Sequence, residues 1–152
     1  MERLVRSCYK KKNGYVFAKK AGDIAREYGI DRIARLASNE NPYPLSAVAR
    51  EAAEIALRNV NRYPDERVNI LIDALREYYG DYHFVSGVGM DGVIETLIRT
   101  LVEPGETVAI SIPTFSFYAL AATGQGAEVI TVPREADFSV DCGKLIEAAK
   151  EA

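Results

Sequence analysis

The sequence predicts an α/β fold built on a parallel sheet, and three observations carry that expectation. Hydrophobic spacing is helical up to Gly80 and then alternates between short apolar runs and helical segments. Val108 to Ile112 and Val129 to Val132 are near-continuous apolar runs, as expected of parallel strands covered on both faces by helices. Between an expected strand and an expected helix lies the glycine-rich connection Ser86-Gly87-Val88-Gly89-Met90-Asp91-Gly92.

Each element has a local reason. Residues 18–29 read as a short amphipathic helix ended by Gly29, within a helical N-terminal arm. An extended stretch from Ile33 to Ala37 leads into Ser38-Asn39-Glu40-Asn41-Pro42-Tyr43-Pro44, whose Asn and Pro content resists regular structure. Ser46 is placed to cap a helix through about Asn59, with Val48, Ala52, Ile55 and Ala56 on one side. After Asn61-Arg62-Tyr63-Pro64, Asp65 can cap the next helix, which carries Val68, Leu71, Ile72, Leu75 and Tyr79 at helical spacing before Gly80.

His83 to Ser86 then reads as a first short strand, and residues 91–102 as a helix with Val93, Ile94, Leu97, Ile98 and Leu101 inward. Pro104-Gly105 turns the chain into a second strand, 107–112. Thr114 opens a helix to about Gly124, a third strand spans 127–132, and Asp141 caps a last helix. Three strand–helix repeats make a right-handed parallel unit. The division expected is residues 1–45 as an arm and loop, and residues 46–152 as the α/β part.

Composition narrows the function classes. A chain of 152 residues, 48% hydrophobic and 27% charged, can bury one sizeable core. The net charge of −3 speaks against nucleic acid as a partner. No apolar run approaches the ~20 residues of a membrane span, and the first residues lack the apolar centre of a secretory signal. Lys10-Lys11-Lys12, with Lys19 and Lys20, reads as solvated surface. Cys8 and Cys142 show no metal-ligand spacing and read as reduced thiols of a cytoplasmic protein; no metal site is expected. His83, the single histidine, reads as structural.

Gly87, Gly89 and Gly92 match G-x-G-x-x-G, the spacing of a dinucleotide turn. That site needs an acid at the end of the second strand for the ribose hydroxyls. Here the strand ends Ala109-Ile110-Ser111-Ile112-Pro113-Thr114, without one. Two readings remain: a phosphate cradle of another kind, in which amides at a helix start bind the anion, or a bare turn.

The segments RLASNENPYPLS, NRYPDERV, VSGVGMDGVIETLIRTLVEPGETVAISIPTFSFY and GAEVITVP, in that order, resemble the N-terminal part of histidinol-phosphate aminotransferases. These are pyridoxal-phosphate enzymes of the aspartate aminotransferase fold. The resemblance runs from about Leu36 to the chain end, and Asn39-Glu40-Asn41-Pro42 with Arg62-Tyr63-Pro64 is its more specific part. It implies that residues 46–152 form the first part of the large, cofactor-binding domain of a fold type I enzyme. It also implies that the Met90 and Asp91 amides hold the pyridoxal 5'-phosphate phosphate while Gly89 allows close approach. Phe115 would stack on the pyridine ring, and the Tyr63 hydroxyl would cross a homodimer interface to the neighbouring cofactor phosphate. Asn39 would line the substrate pocket.

Each residue has a plainer rival: core packing for Phe115, a surface phenol for Tyr63, a turn-forming amide for Asn39, and a helix cap for Asp91. The substrates implied are L-histidinol phosphate and 2-oxoglutarate, in histidine biosynthesis. A threonine-phosphate decarboxylase or a non-catalytic phosphate-binding or assembly module are the alternatives. The family's covalent cofactor lysine has no counterpart among Lys10, Lys11, Lys12, Lys19, Lys20, Lys144 and Lys150. The chain therefore reads as the cofactor-cradling part of such an enzyme without its catalytic residue.

Overall fold

The computed structural model describes residues 4–10 and 19–150. Lys11 and Lys12 of the basic run, and residue 18 at the expected start of the first helix, lie outside them. The described residues form two units: residues 19–82, and residues 4–10 with 83–150.

The unit of residues 19–82 is helical. Helix α2 (Ala21–Tyr28) ends where Gly29 turns left-handed at φ 63° and donates its N–H to Ala25 O. Helix α3 (Ala47–Ala56) starts as expected, with Ser46 Oγ accepting from Ala49 N at 3.2 Å, and continues into a 3-10 turn, Leu57–Asn59. Helix α4 (Asn69–Tyr79) is opened by Asp65, whose carboxylate accepts from Arg67 N at 3.1 Å and Asn69 N at 2.9 Å. Those bonds span Val68, which sits at φ 52°, a conformation that β-branched residues avoid. The apolar faces differ from expectation. Val48 and Ile55 of α3 are exposed, as are Leu71 and Tyr79 of α4, while Ile72 and Leu75 are half-buried. Helical spacing aligns side chains on one face, but burial needs a second element over that face. No described residue of this unit is buried.

The other unit holds α1 (Ser7–Lys10), α5 (Gly89–Leu101), β1 (Thr107–Ile112), α6 (Phe117–Gln125), β2 (Glu128–Pro133) and α7 (Cys142–Lys150). Strands β1 and β2 pair in parallel from Thr107 opposite Glu128 to Ile112 opposite Pro133. Paired residues of a ladder share a face and successive ones alternate. Ile110 lies beside Thr131, and Val132 beside Ser111, so these two buried residues point to opposite faces. Helices α6 and α7 both pack on the strands. The rest of the core is Ile94, Ala122 and Ala127.

Three expectations are corrected here. His83 to Ser86 forms no strand, so the described sheet has two strands and not three. A strand is secured by a neighbour's backbone, which a short local run does not supply by itself. Leu97 and Leu101 of α5 are exposed; only Ile94 is buried, with Val93 and Ile98 half-buried. Helix α6 starts after Ser116 and not at Thr114, and Ser116 makes no side-chain cap bond; residues 113–116 become a loop at the carboxyl end of β1. Asp141 caps α7 as expected, accepting from Lys144 N at 3.0 Å. Cys8 and Cys142 are free thiols. Among the described residues, no helix is long and apolar enough to cross a membrane.

The α4 cap gives a pH test. Hydrogen bonds from the Asn69 and then the Arg67 backbone hold the Asp65 carboxyl below its ordinary 3.8. A lowered folded pKa means that the stabilisation is fully present above the ordinary value and is lost as pH falls through the lowered one. Followed by amide NMR, the Asn69 signal should move toward its unfolded position only once pH drops below about 4. In Asp65→Asn that transition should vanish.

Candidate functional site

The start of α5 is built by glycines with different tasks. Val88 stands at the N-cap with φ −73° and ψ 81° and has no side chain able to cap. The first backbone bond into the helix runs from Gly92 N to Val88 O at 3.3 Å. The amides of Gly89, Met90 and Asp91 therefore precede the intrahelical ladder, at the positive end of the helix dipole. Gly89 takes φ 65°, and a Cβ there would meet nothing within 4 Å. Gly87 is the opposite case: its Cβ would fall 2.9 Å from Val93 N and 3.0 Å from Val93 Cγ2. At Gly92 a Cβ would make ordinary contact, 3.5 Å from Val88 Cβ. Met90 is 55% exposed, and Asp91 lies in the first turn of the helix and not at its cap.

Phe115 lies three residues beyond β1, half-buried. Its ring centroid is 6.2 Å from that of Phe117, at 28°, and 6.2 Å from that of Tyr118, at 85°. Helix α5 leads into β1 through residues 102–106 and packs on α6.

Tyr63 and Asn39 lie in the other unit. Tyr63 is fully exposed and lines a cavity of about 620 Å3 with Val60, Arg62 and Val68. Asn39 takes φ 51°, after Ser38 at φ 68°; asparagine adopts that region more readily than most residues. Beside it, Glu40 pairs with Arg35 at 3.2 Å, and Asn41 Oδ1 accepts from Tyr43 N at 3.0 Å.

Sequence reasoning missed two features. A cavity of about 730 Å3 opens between α1, α5 and α6, with Arg6, Tyr9, Glu95 and Arg99 on its walls and none of the anticipated site residues. Arg6 Nη2 closes one side by donating to Gln125 O at 3.0 Å. The second feature is Arg134, which binds the carbonyl of Pro113 beside the Phe115 loop. Neither contact leaves a local signature in sequence.

The acids beside three of the described lysines oppose nucleophilic use. Lys19 pairs with Glu27 at 2.7 Å, and Lys150 with Glu147 at 3.3 Å. Lys144 meets Glu135 and Asp141; the Glu135 hydrogen bond and charge, with Asp141, hold its ammonium above the ordinary 10.5. A lysine that attacks a carbonyl needs the reverse shift.

The sequence profile of the family described as aminotransferase class I and II matches residues 31–152. The chain belongs to that family. It is 64% identical over all 152 residues to a histidinol-phosphate aminotransferase of Methanoculleus marisnigri and covers 43% of that protein. It is 56% identical over 142 residues to one of Methanocorpusculum labreanum, covering 40% of it. The chain thus spans about two fifths of the length of these curated relatives. Among solved structures, the histidinol-phosphate aminotransferase of Sinorhizobium meliloti, in complex with pyridoxal-5'-phosphate, superposes with a TM-score of 0.74. That match covers 98% of this chain and 41% of the other at 23% identity, a likeness of fold. In this aminotransferase-family chain the glycine loop therefore sits in the fold seen in that structure.

The three glycines should separate in mutagenesis. Gly87→Ala should destabilise the chain by about 1–3 kcal/mol, since the new methyl meets backbone. Gly89→Ala should cost about 1–2 kcal/mol through its left-handed backbone alone. Gly92→Ala should be neutral or stabilising by up to about 1 kcal/mol, as alanine suits a helix interior. Urea unfolding of the three variants checks the order.

Proposed function

We propose that these residues form the first, cofactor-cradling part of a pyridoxal-phosphate-dependent aminotransferase, a transferase that acts on L-histidinol phosphate with 2-oxoglutarate as amino acceptor, in histidine biosynthesis. The observation that carries this reading is the start of α5. Its first-turn amides face a position with no capping side chain, and Gly89 leaves open space beside them. This is a fit for a phosphate group held by backbone alone. The 64% identity to the M. marisnigri enzyme supports the choice of substrates.

In this reading the chain's own residues bind and orient. The Met90 and Asp91 amides take the phosphate oxygens, and Gly89 lets them approach. Phe115 offers a flat apolar face to a pyridine ring without needing a hydroxyl. Pyridoxal phosphate, when bound, supplies the electron-withdrawing ring that makes amino-group transfer feasible. Tyr63, fully exposed, is the hydroxyl that reaches the phosphate of a second copy in a cytoplasmic homodimer. Asn39 contributes to the substrate pocket from residues 1–45, the arm and loop, while residues 46–152 belong to the cofactor domain. The lysine that holds the cofactor covalently lies outside these residues; Lys144 is engaged by Glu135 and Asp141, which raise its ammonium above the ordinary value.

Amide chemical shifts of the 152-residue chain titrated with inorganic phosphate test this directly. Movement confined to residues 87–92 is the expected result, and unmoved signals there would sink the reading. Borohydride reduction after incubation with pyridoxal phosphate should label no single lysine stoichiometrically; a specific Lys144 adduct would overturn the assignment of roles.

A further inference from the structure

The connection from β2 to α7 is turned back on itself by short-range bonds. Phe138 N donates to Glu135 O at 2.9 Å, Glu135 N to Ser139 O at 3.1 Å, and Ser139 N to Asp137 Oδ1 at 3.0 Å. Phe138 is held there at φ 65°. Arg134, half-buried, stands at the mouth of this turn. Its backbone N–H extends the β-ladder by one step, donating to Ile112 O at 2.8 Å. Its side chain goes further: Nε donates to Pro113 O at 2.9 Å and Nη1 to Phe138 O at 2.9 Å.

One residue thereby fastens three carbonyls, two of them at the exit of β1. The donors of a guanidinium are fixed in one plane, so satisfying Pro113 and Phe138 together sets the place of the β1 exit against the turn. Phe115 follows Pro113 by two residues, and its ring packs only part of its surface, beside Phe117 and Tyr118. An aromatic platform on a loop is useful only when its plane is held before the ligand arrives.

We infer that Arg134 is the positioning residue for Phe115, holding the β1 exit so that the ring presents a fixed face to the aromatic ring of the cofactor. This rests on the proposed function for the identity of the ligand. It makes Arg134 act on the ring and not on the phosphate, because Arg134 bonds the β1 exit while the phosphate amides belong to the first turn of α5.

Two probes separate those contributions in the 152-residue chain: inorganic phosphate reads the α5 amides alone, and pyridoxal phosphate reads amides plus platform. Arg134→Met keeps the length of the side chain and removes its donors. It should weaken pyridoxal phosphate binding about five- to tenfold, the scale of one aromatic contact, and leave phosphate affinity unchanged. Arg134→Lys should recover part of the loss, since an ammonium can satisfy one of the two carbonyls. Amide exchange in Arg134→Met should rise at residues 114–117 while Val108 to Ile110 stay protected. Unchanged pyridoxal phosphate affinity in Arg134→Met would overturn the inference. So would equal loss for both probes, which marks general unfolding. If phosphate fails to bind the wild-type chain, the proposed function fails instead. The exchange result then decides Arg134 by itself: unchanged exchange at residues 114–117 refutes the role, and raised exchange supports its hold on the loop.

Discussion

The parallel ladder between β1 and β2 is the constraint from which the rest of the α/β unit follows. A parallel pair cannot be closed by a tight turn, so the chain must leave β1, cross as α6 and return. The six-pair register points Ile110 and Val132 to opposite faces, and α6 and α7 both pack on the strands. The same register ends both strands together. That alignment is why Arg134, just past β2, lies within reach of Pro113, just past β1. A one-residue slip of β2 would carry Val132 to the other face and move Arg134 off the Pro113 carbonyl.

In the proposed site around that frame, anion recognition would fall to the backbone and ring recognition to a side chain. Amides at a helix start need no counter-charge and tolerate a range of neighbours, so the proposed cradle is compatible with a net charge of −3. The basic side chains instead serve the architecture. Arg6 ties α1 to α6, Arg134 ties two loops, and Lys144 sits between two acids.

What could be read from sequence was short-range. Ser46, Asp65 and Asp141 cap through bonds to residues two to four positions away, so their roles are written in a few letters. Gly29 and Gly80 mark helix ends for the same reason. The apolar runs located β1 and β2 to within a residue. His83 to Ser86 failed as a strand because pairing depends on a distant neighbour. The outward Leu97, Leu101, Val48 and Ile55 failed likewise, since periodicity defines a face but not its cover. Of the proposed site, the glycine loop and Phe115 were singled out by motif and resemblance. Arg134 was not, because a bond across 21 positions leaves no periodic trace. Nor did anything local foretell the left-handed backbone of Val68, which follows from how Asp65 closes the turn over it.

The crowding at Gly87 bears on how such motifs arise. A chain that turns sharply into a helix and must keep its amides clear of side chains meets two separate demands, one of clearance against the helix and one of backbone handedness. Gly87 answers the first and Gly89 the second, while Gly92 answers neither strictly. Two geometric demands of a tight entry into a helix thus write most of a G-x-G-x-x-G pattern by stereochemistry alone. Unrelated phosphate sites can converge on the same letters through stereochemistry, and the discriminating information moves to the neighbouring strand ends, where an acid or an aromatic residue declares the ligand.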